Sequence, residues 1–394
     1  MPPRRVSVFT PSRENAEVAR ELNAAFERVL RSGRYLLGPE LEAFESSAAE
    51  LLSTRHFIGV GSGTDALILT MEALGVRPGD EVIVPAFGAV PTPAAVVSVG
   101  ARPVLADVDS KTGCITEESV SAVLGPSTVG VIVVHLYGYP ADADGLAKFC
   151  EKRGIFLLED CAQAFGAFVQ GPSAATSKRV GTIGKAGCFS FYPTKVLAAL
   201  GDAGGVATDD SQLAAKLRLL RSHGHTGDYR HVIAARNSRL DELQAAFLRA
   251  KLPKLETWAA RRRKVADRLR GAITEATAGE VSFQADAPGH AYHLLAARHS
   301  SRDEILARCV EAGFDSMVHY PLPIGAQTAY MKFAMGEYPQ AEQWAGTEFS
   351  LPTSPHLTDE EVERIARTVS LAVVRRIERT TLEAKAAVNE GEVS

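Results

Sequence analysis

The sequence contains few cysteines, little net charge and no long hydrophobic run. Its five cysteines are widely spaced and none forms a Cys-x-x-Cys pair, which argues against a disulfide framework and a structural zinc site. The most apolar run, Val129 to Val134, is far shorter than the roughly 20 residues of a membrane span, and residues 1–15 lack the apolar core of a signal peptide. A formal net charge of −4 provides no field for nucleic acid or anionic membranes. We therefore expect a soluble, cytoplasmic protein with reduced thiols, no metal, and no nucleic-acid or membrane partner.

Short apolar strands alternate with helices in the first 210 residues. We predict strands at 57–60, 82–84, 104–108, 129–136, 155–158, 188–191 and 206–208, and a first helix over 14–31 with Leu22, Phe26, Val29 and Leu30 on one face. Continuous apolar strands separated by helices are typical of a mostly parallel sheet with helices on both faces.

The pattern changes after about residue 240. A long helix is predicted over 240–277, with a break at Pro253, and short strands and helices are mixed beyond it. A chain of 394 residues fits one large and one smaller domain. We predict a large α/β domain over 1–250, a smaller α+β C-terminal domain over 251–375, and a polar, frayed tail over 376–394.

A glycine-rich turn, Gly61-Ser62-Gly63-Thr64, follows the first strand and opens a helix. It matches the G-x-G-x-x-(G/A) pattern of dinucleotide sites. Such sites also need an acid at the carboxyl end of the second strand, whereas that strand here ends in Pro85-Ala86-Phe87. We interpret the turn as a cradle in which N–H groups and the Thr64 hydroxyl hold one phosphate. Phe87 lies where it could stack on a flat ring, although a core position is the commoner role of such a residue.

Two further strands end in reactive side chains. The strand at 155–158 leads into Glu159-Asp160, where a buried carboxylate is costly unless it meets a cation such as a protonated pyridine nitrogen; the alternative for Asp160 is a helix cap. Gln163 could accept or donate a hydrogen bond to the phenolic oxygen of the same ring.

Lys195 follows a strand that ends at Pro193, and apolar neighbours can turn such a lysine into a nucleophile, although most lysines are surface charges. Because ligands bind at the carboxyl ends of such strands, these features together predict a pyridoxal phosphate site.

With these motifs the sequence resembles the DegT/DnrJ/EryC1/StrS sugar aminotransferases. The resemblance covers about residues 14–375, and its motifs are Gly61 to Leu67, Glu159 to Gln163, Phe189 to Lys195, Gly201 to Gly205, Asn237 to Ala246, and His319-Tyr320-Pro321. It implies the fold of fold-type I pyridoxal phosphate enzymes, which are aspartate aminotransferase-like: a mostly parallel central sheet with helices on both faces and a smaller α+β C-terminal domain.

The resemblance also implies a role for each matching residue. Lys195 is implied as the Schiff-base lysine and proton carrier, and Asp160 as the partner of the pyridinium nitrogen. The other implied cofactor ligands are Gly63, Thr64, Phe87, Gln163, Ser190 and Asn237, and the implied substrate-binding residues are Tyr35, Tyr192, His319 and Tyr320. Asn237 would be supplied by the second subunit of an obligatory homodimer.

The implied reaction is a ping-pong transamination in amino-sugar biosynthesis, of the kind that serves antibiotic or polysaccharide production. It moves an amino group from an amino acid, expected to be L-glutamate, to a keto group of a nucleotide-activated sugar. Gln163 and the Phe-Ser-Phe-Tyr-Pro form of the lysine strand favour a dTDP- or UDP-linked 3-keto-hexose. The alternatives are a 4-keto sugar or a keto-cyclitol of the scyllo-inosose type.

Three positions depart from the family pattern and leave the substrate open. Phe165 and Gly325 stand where many relatives have His, and Val196 where Asn is common, at positions that face the substrate or its surroundings in the family. Two other reaction classes are disfavoured. A pyridoxal phosphate-dependent sugar dehydratase would carry His in place of Lys195, and a non-catalytic regulator would not need the lysine, carboxylate and cradle together.

Overall fold

The structure is a computed structural model that describes residues 5–171, 173 and 176–374. The predicted tail over 376–394 lies outside the described residues. A seven-stranded sheet forms the centre of the larger part, in the order β1-β9-β8-β5-β4-β2-β3. In this sheet β9 runs antiparallel to both of its neighbours, and the other strands are parallel to one another. The strands are β1 (His56–Val60), β2 (Glu81–Pro85), β3 (Arg102–Ala106), β4 (Thr128–Val134), β5 (Phe156–Asp160), β6 (Phe168–Val169), β7 (Lys178–Arg179), β8 (Ala186–Ser190), β9 (Gly204–Thr208), β10 (Ser282–Phe283), β11 (Leu295–Arg298) and β12 (Glu348–Leu351).

Helices cover the sheet and connect its strands. They are α1 (Pro11–Glu17), α2 (Ala19–Ser32), α3 (Pro39–Leu52), α4 (Gly63–Leu74), α5 (Pro91–Ser98), α6 (Glu117–Val123), α7 (Ala143–Glu151), α8 (Ser211–Leu220), α9 (Glu242–Lys251), α10 (Leu255–Ala276), α11 (Arg302–Glu311), α12 (Pro339–Thr347) and α13 (359–374). The central strands are buried along most of their length, as expected of a sheet covered on both faces. Within the described ranges, no helix combines the length and apolar character needed to cross a membrane.

The predicted break in the long helix is confirmed. Helix α9 ends at Lys251, a short 3-10 turn spans Leu252–Lys254, and α10 begins at Leu255. Pro253 lies in this turn, because it has no N–H to donate to the preceding helical turn.

The prediction for the first helix is partly wrong. The segment is divided into α1 and α2 at Val18, whose φ of −116° is not helical. Leu22 and Val29 are buried as predicted, but Phe26 and Leu30 are 47% and 57% exposed. The described part of the chain therefore covers only some of the apolar residues of α2, and Phe26 and Leu30 are left exposed.

The smaller sheet is antiparallel, in the order β10-β11-β12. Its hydrophobic core contains side chains from α10, α11 and α13, and also Val6 from the N-terminal segment. The Val6 N–H donates to Gly313 O at 3.1 Å, and the Asp315 N–H donates to Val6 O at 2.7 Å. The first described residues therefore pack with the C-terminal part of the chain, whereas the domain limits at 250 and 375 stay predictions.

Candidate active site

Three parallel strands bring the predicted motifs to one edge of the central sheet. Strand β1 ends at Val60 before the glycine turn, β5 ends at Asp160, and β8 ends at Ser190 just before the loop that carries Lys195. Gly204, the first residue of β9, pairs with both Val60 and Ser190. The cradle, the carboxylate and the lysine loop therefore start from neighbouring positions at the carboxyl edge.

The glycine turn lies against Ser190 at the N-terminus of α4. The Ser62 hydroxyl caps this helix by accepting the Asp65 N–H at 3.1 Å. A Cβ at Gly63 would lie 2.6 Å from Ser190 Cβ, and one at Gly204 would lie 2.2 Å from Ser62 O. Only glycine permits this close approach. The result is a compact set of helix N–H groups with the Ser190 and Thr64 hydroxyls nearby, which fits the phosphate of pyridoxal phosphate.

Asp160 is nearly fully buried and has two defined partners. Thr92 Oγ1 donates to Oδ2 at 2.7 Å, and the Ala162 N–H donates to Oδ1 at 3.1 Å. No helix begins at Asp160, so the alternative interpretation as a helix cap is wrong. The carboxylate is held in a fixed orientation at the strand end, which fits a partner for a cationic ring nitrogen. Thr92 was missed at the sequence level, because its approach to Asp160 depends on how α5 packs.

The adjacent carboxylate, that of Glu159, has a different role. It points into the interior, where it accepts N–H groups from Gly181, Ile183 and Gly184 at 2.7–2.8 Å and lies 3.1 Å from His135 Nε2. Neighbouring residues of a strand face opposite sides of the sheet. Glu159 therefore fixes the approach to β8 while Asp160 faces the site. Glu159, His135 and Cys161 lie close enough to hold a metal ion, but these hydrogen bonds already occupy the carboxylate.

Lys195 has an amine that gives up its proton unusually easily. Burial lowers its pKa to about 8, although the negative charge of Asp160 opposes the shift. Helix α9 holds the lysine loop in place: Lys251 Nζ donates to Ala198 O at 2.7 Å, and the Leu200 N–H donates to Gln244 Oε1 at 2.8 Å. These contacts present an amine with nucleophilic character at the sheet edge.

Gln163 connects the site to the C-terminal part of the chain. Its Nε2 donates to the Tyr320 hydroxyl at 2.9 Å, and its Oε1 accepts the Tyr137 N–H. The Tyr137 hydroxyl in turn donates to His319 O. Burial raises the pKa of Tyr320, so this hydroxyl stays protonated and can donate a hydrogen bond.

Phe87 is fully buried next to Tyr320. Its ring centroid lies 5.8 Å from that of Trp344 and 6.2 Å from that of Tyr320. This packing matches the alternative role of a core aromatic residue, and the stacking role stays a prediction. Two positions that depart from the family pattern, Phe165 and Val196, are also buried in a hydrophobic cluster beneath the lysine loop.

His319 and His293 lie close to Lys195, and Phe9 packs against both imidazoles. The ring centroids are 5.4 Å apart for Phe9 and His293 and 6.1 Å for Phe9 and His319. Burial, and then the charge of Lys195, lower the pKa of His319 to about 4 and that of His293 well below its usual range. His293 is buried and its Nδ1 lacks a hydrogen-bond partner among the described residues. No sequence motif predicted His293 or Phe9, which reach the site from distant segments.

The remaining predicted residues lie at the surface. Tyr192 is 50% exposed beside the lysine loop, and Tyr35 is 56% exposed between α2 and α3. Asn237 is exposed and lines, with Gly61 and Ser62 of its own chain, a cavity of about 400 Å³. Their substrate and phosphate contacts stay predictions.

The seven-stranded sheet, together with the residues at its carboxyl edge, is that of an aminotransferase of the fold-type I class. The chain matches the DegT/DnrJ/EryC1/StrS aminotransferase family over residues 16–370, and it belongs to this family. Aminotransferases of this family depend on pyridoxal phosphate, and solved relatives have been described with the cofactor bound. The predicted family, fold class, enzyme class and cofactor are therefore confirmed.

Several relatives are similar over nearly their whole length. The dTDP-3-amino-3,4,6-trideoxy-alpha-D-glucose transaminase of Streptomyces venezuelae is 39% identical over 351 residues, which cover 89% of this chain and 91% of that protein. The UDP-N-acetyl-3-dehydro-alpha-D-glucosamine 3-aminotransferase of Acidithiobacillus ferrooxidans is 38% identical, with 92% and 94% covered. A crystal structure of S. venezuelae DesV in complex with a ketimine intermediate has a TM-score of 0.88 and 38% identity, and the match covers 94% of this chain and 99% of that chain.

Proposed function

We propose that the protein transfers the amino group of an amino acid, L-glutamate, to C3 of a dTDP- or UDP-linked 3-keto-hexose in amino-sugar biosynthesis. The observation that carries the proposal is the placement of Lys195, Asp160 and the glycine cradle at one sheet edge in a member of this aminotransferase family. The names of the two relatives put the amino group at position 3 of a nucleotide-linked sugar, and this supports the choice of carbon.

The chain's own residues supply binding and proton transfer. The N–H groups of α4, with Gly63, Thr64 and Ser190, would hold the phosphate, and Asp160 would face the ring nitrogen. Pyridoxal phosphate, when bound, supplies a ring that accepts electrons from the α-carbon of the amino acid. With its pKa lowered to about 8, Lys195 can act as a nucleophile and can carry a proton as base and then as acid.

The C-terminal side of the site would bind the sugar. The hydroxyl of Tyr320 and the imidazole of His319 come from the same loop, and Gln163 holds the Tyr320 hydroxyl at 2.9 Å. A neutral imidazole and a neutral phenol can hydrogen-bond sugar hydroxyls without the cost of burying a charge. Tyr35 and Tyr192, both about half exposed, would contact the more distant part of the substrate.

A half-reaction distinguishes the candidate substrates. Enzyme loaded with pyridoxamine phosphate is offered 3-keto and 4-keto dTDP- and UDP-sugars and a keto-inositol in separate samples, and the visible absorbance is followed. We expect only a 3-keto nucleotide sugar to restore the absorbance of the pyridoxal form. A faster response to a 4-keto sugar or to the keto-inositol would refute the proposed substrate and leave the enzyme class intact.

The proposal includes a homodimer in which Asn237 contacts the phosphate bound by the other subunit. Exposed apolar side chains on α2, in the loop after it and in the segment before Asn237 support a homodimer. A second copy of the chain would cover these side chains. They are Phe26, Leu30, Tyr35, Tyr229 and Val232. A reducing, cytoplasmic location is part of the same proposal, because all five cysteines are buried and unpaired.

Mixed dimers test the role of Asn237. K195A and N237A enzymes are each expected to be impaired, whereas a dimer of one K195A and one N237A chain keeps one intact site if Asn237 acts across the interface. We expect about half the wild-type activity per mixed dimer, with the mixed dimer purified through a different affinity tag on each chain. If the mixture is no more active than its parents, Asn237 acts within its own chain or has no role.

A further inference from the structure

A chain of hydrogen bonds leads from the site into the smaller sheet. Glu348 is fully buried at the start of β12. Its Oε1 accepts the Ser350 hydroxyl at 2.5 Å, and its Oε2 accepts the His319 N–H at 2.7 Å. Ser350 Oγ also lies 3.0 Å from His319 Nδ1. A carboxylate, a hydroxyl and an imidazole are therefore connected in series, and the charge of Lys195 acts on the imidazole.

The imidazole cannot easily store a proton at this position. Burial and the charge of Lys195 hold the pKa of His319 at about 4, and His293 also packs against Phe9. An imidazolium at this position would be repelled by a lysine ammonium, which is unfavourable. A proton that reaches Nε2 is therefore stable only if Nδ1 releases its own proton.

The hydrogen bonds allow two arrangements. With Glu348 ionised, the Ser350 hydroxyl donates to the carboxylate and the Nδ1–H of His319 donates to Ser350 Oγ. With Glu348 protonated, the carboxyl donates to Ser350 Oγ, the hydroxyl donates to Nδ1, and the imidazole proton is on Nε2. The tautomer of His319 is thus tied to the protonation of Glu348 through a single hydroxyl.

We propose that Glu348, Ser350 and His319 form a proton relay that takes up a proton from Lys195 and returns it. The inference rests on the proposed function. When the Lys195 amine is free, one Nζ–H bond breaks and the proton binds His319 Nε2, directly or through a water molecule. The Nδ1 proton moves to Ser350 Oγ, and the Ser350 proton moves to Glu348 Oε1. An ammonium and a carboxylate become a neutral amine and a neutral acid, with serine and imidazole unchanged in charge.

The surroundings of Glu348 make both of its states accessible near neutral pH. Burial raises its pKa to about 8, while hydrogen bonds from Ser350 and the His319 N–H and the charge of Arg302 oppose the rise. The facing hydroxyls of Tyr137 and Tyr320 stay neutral, because burial raises the pKa of both. A proton can therefore rest on Glu348 or leave it at a small cost in free energy.

The tautomer of His319 is measured by nitrogen-15 NMR of histidine-labelled, cofactor-loaded enzyme, with the signal assigned through H319Q. We expect the proton on Nε2 below about pH 8 and on Nδ1 above it, with no imidazolium, because the tautomer follows Glu348. S350T should keep this switch and S350A should abolish it. A single tautomer throughout the wild-type titration, or a switch that survives in S350A, would overturn the proposal.

A kinetic comparison shows whether the relay serves the reaction. We expect S350A to slow the half-reaction with L-glutamate by about 10- to 100-fold with little change in the Kd of the amino acid, and S350T to restore most of the rate. Equal rates in S350A and wild type would refute a role in proton transfer. The NMR switch does not depend on the substrate, so a protein that rejects every keto sugar but shows the switch would refute the proposed function alone.

Discussion

The cofactor side and the substrate side of the site are built in different ways. The cofactor side uses Gly63, Asp160, Ser190 and Lys195, which stand at or just after the ends of three parallel strands of one sheet. The substrate side uses loops and β12 of the smaller part, together with Phe9 from the N-terminal segment. Sheet topology determines the first set, whereas the second set depends on how distant segments pack. Much of the substrate side can therefore change without altering the strand ends that carry Asp160, Ser190 and Lys195.

The largest effect is expected from K195A, which removes the amine proposed to act both as the nucleophile and as the proton carrier next to the cofactor. The half-reaction should slow by about 1,000-fold or more, and borohydride should no longer attach the cofactor to the chain. Absorbance before and after reduction measures both properties. K185A is the control, because Lys185 is exposed immediately before β8. A K195A enzyme with normal rates would contradict the site as a whole.

E348Q examines the substrate side through the pH dependence of stability. The folded pKa of Glu348, about 8, is above its ordinary value of 4.5. Its stabilising contribution is therefore fully present below pH 4.5 and is lost as the pH rises toward 8. Glutamine does not titrate, so stability relative to wild type should rise over this window, by at most about 1.4 kcal/mol per pH unit. Urea unfolding at each pH measures it; a constant difference would show that Glu348 does not titrate there.

G63A examines the cofactor side. A Cβ at Gly63 would lie 2.6 Å from Ser190 Cβ, so the turn must move away from Ser190. If the bound state has to reverse a displacement of about 2 kcal/mol, affinity falls roughly 30-fold. Titration of the apoenzyme with pyridoxal phosphate should show weaker binding. G271A is the matched control, because a Cβ there meets nothing within 4 Å. If G63A binds the cofactor as tightly as G271A does, the turn is not the phosphate cradle.

The smallest effect is expected at Thr92, which orients Asp160. T92V removes a hydrogen bond of 2.7 Å to a carboxylate, and such bonds contribute about 1.5 kcal/mol, or roughly tenfold. The rate of the half-reaction should fall by this factor, while T92S should stay near wild type. Equal rates in T92V and T92S would show that the Ala162 N–H alone orients Asp160.

The cofactor side was largely predictable because parallel strands place their carboxyl ends at one edge. The break at Pro253 was predictable for a local reason, since proline lacks an N–H. The substrate side gave weaker signals. Glu348-Phe349-Ser350-Leu351 alternates polar and apolar residues like a half-solvated strand, yet all four residues are buried. Burial on both faces is a property of the tertiary packing, and a single sequence does not encode it in its local pattern.

The same limit applies to α2. The spacing of its apolar residues correctly predicted one buried face, but the exposed Phe26 and Leu30 extend that surface beyond what this chain covers. Hydrophobic periodicity indicates which residues avoid water, but it does not say whether they pack against the same chain or another one.

The pairing of Val6 with Gly313 and Asp315 has a consequence for how the enzyme is made. Val6 lies three residues before Phe9, which packs on the two imidazoles, and it pairs with a segment that is synthesised about 300 residues later. During translation the central sheet can form with its lysine and cradle in place while this wall of the site is missing. The cofactor side of the site would then take shape before the wall that faces the substrate, so the features that set specificity would form last.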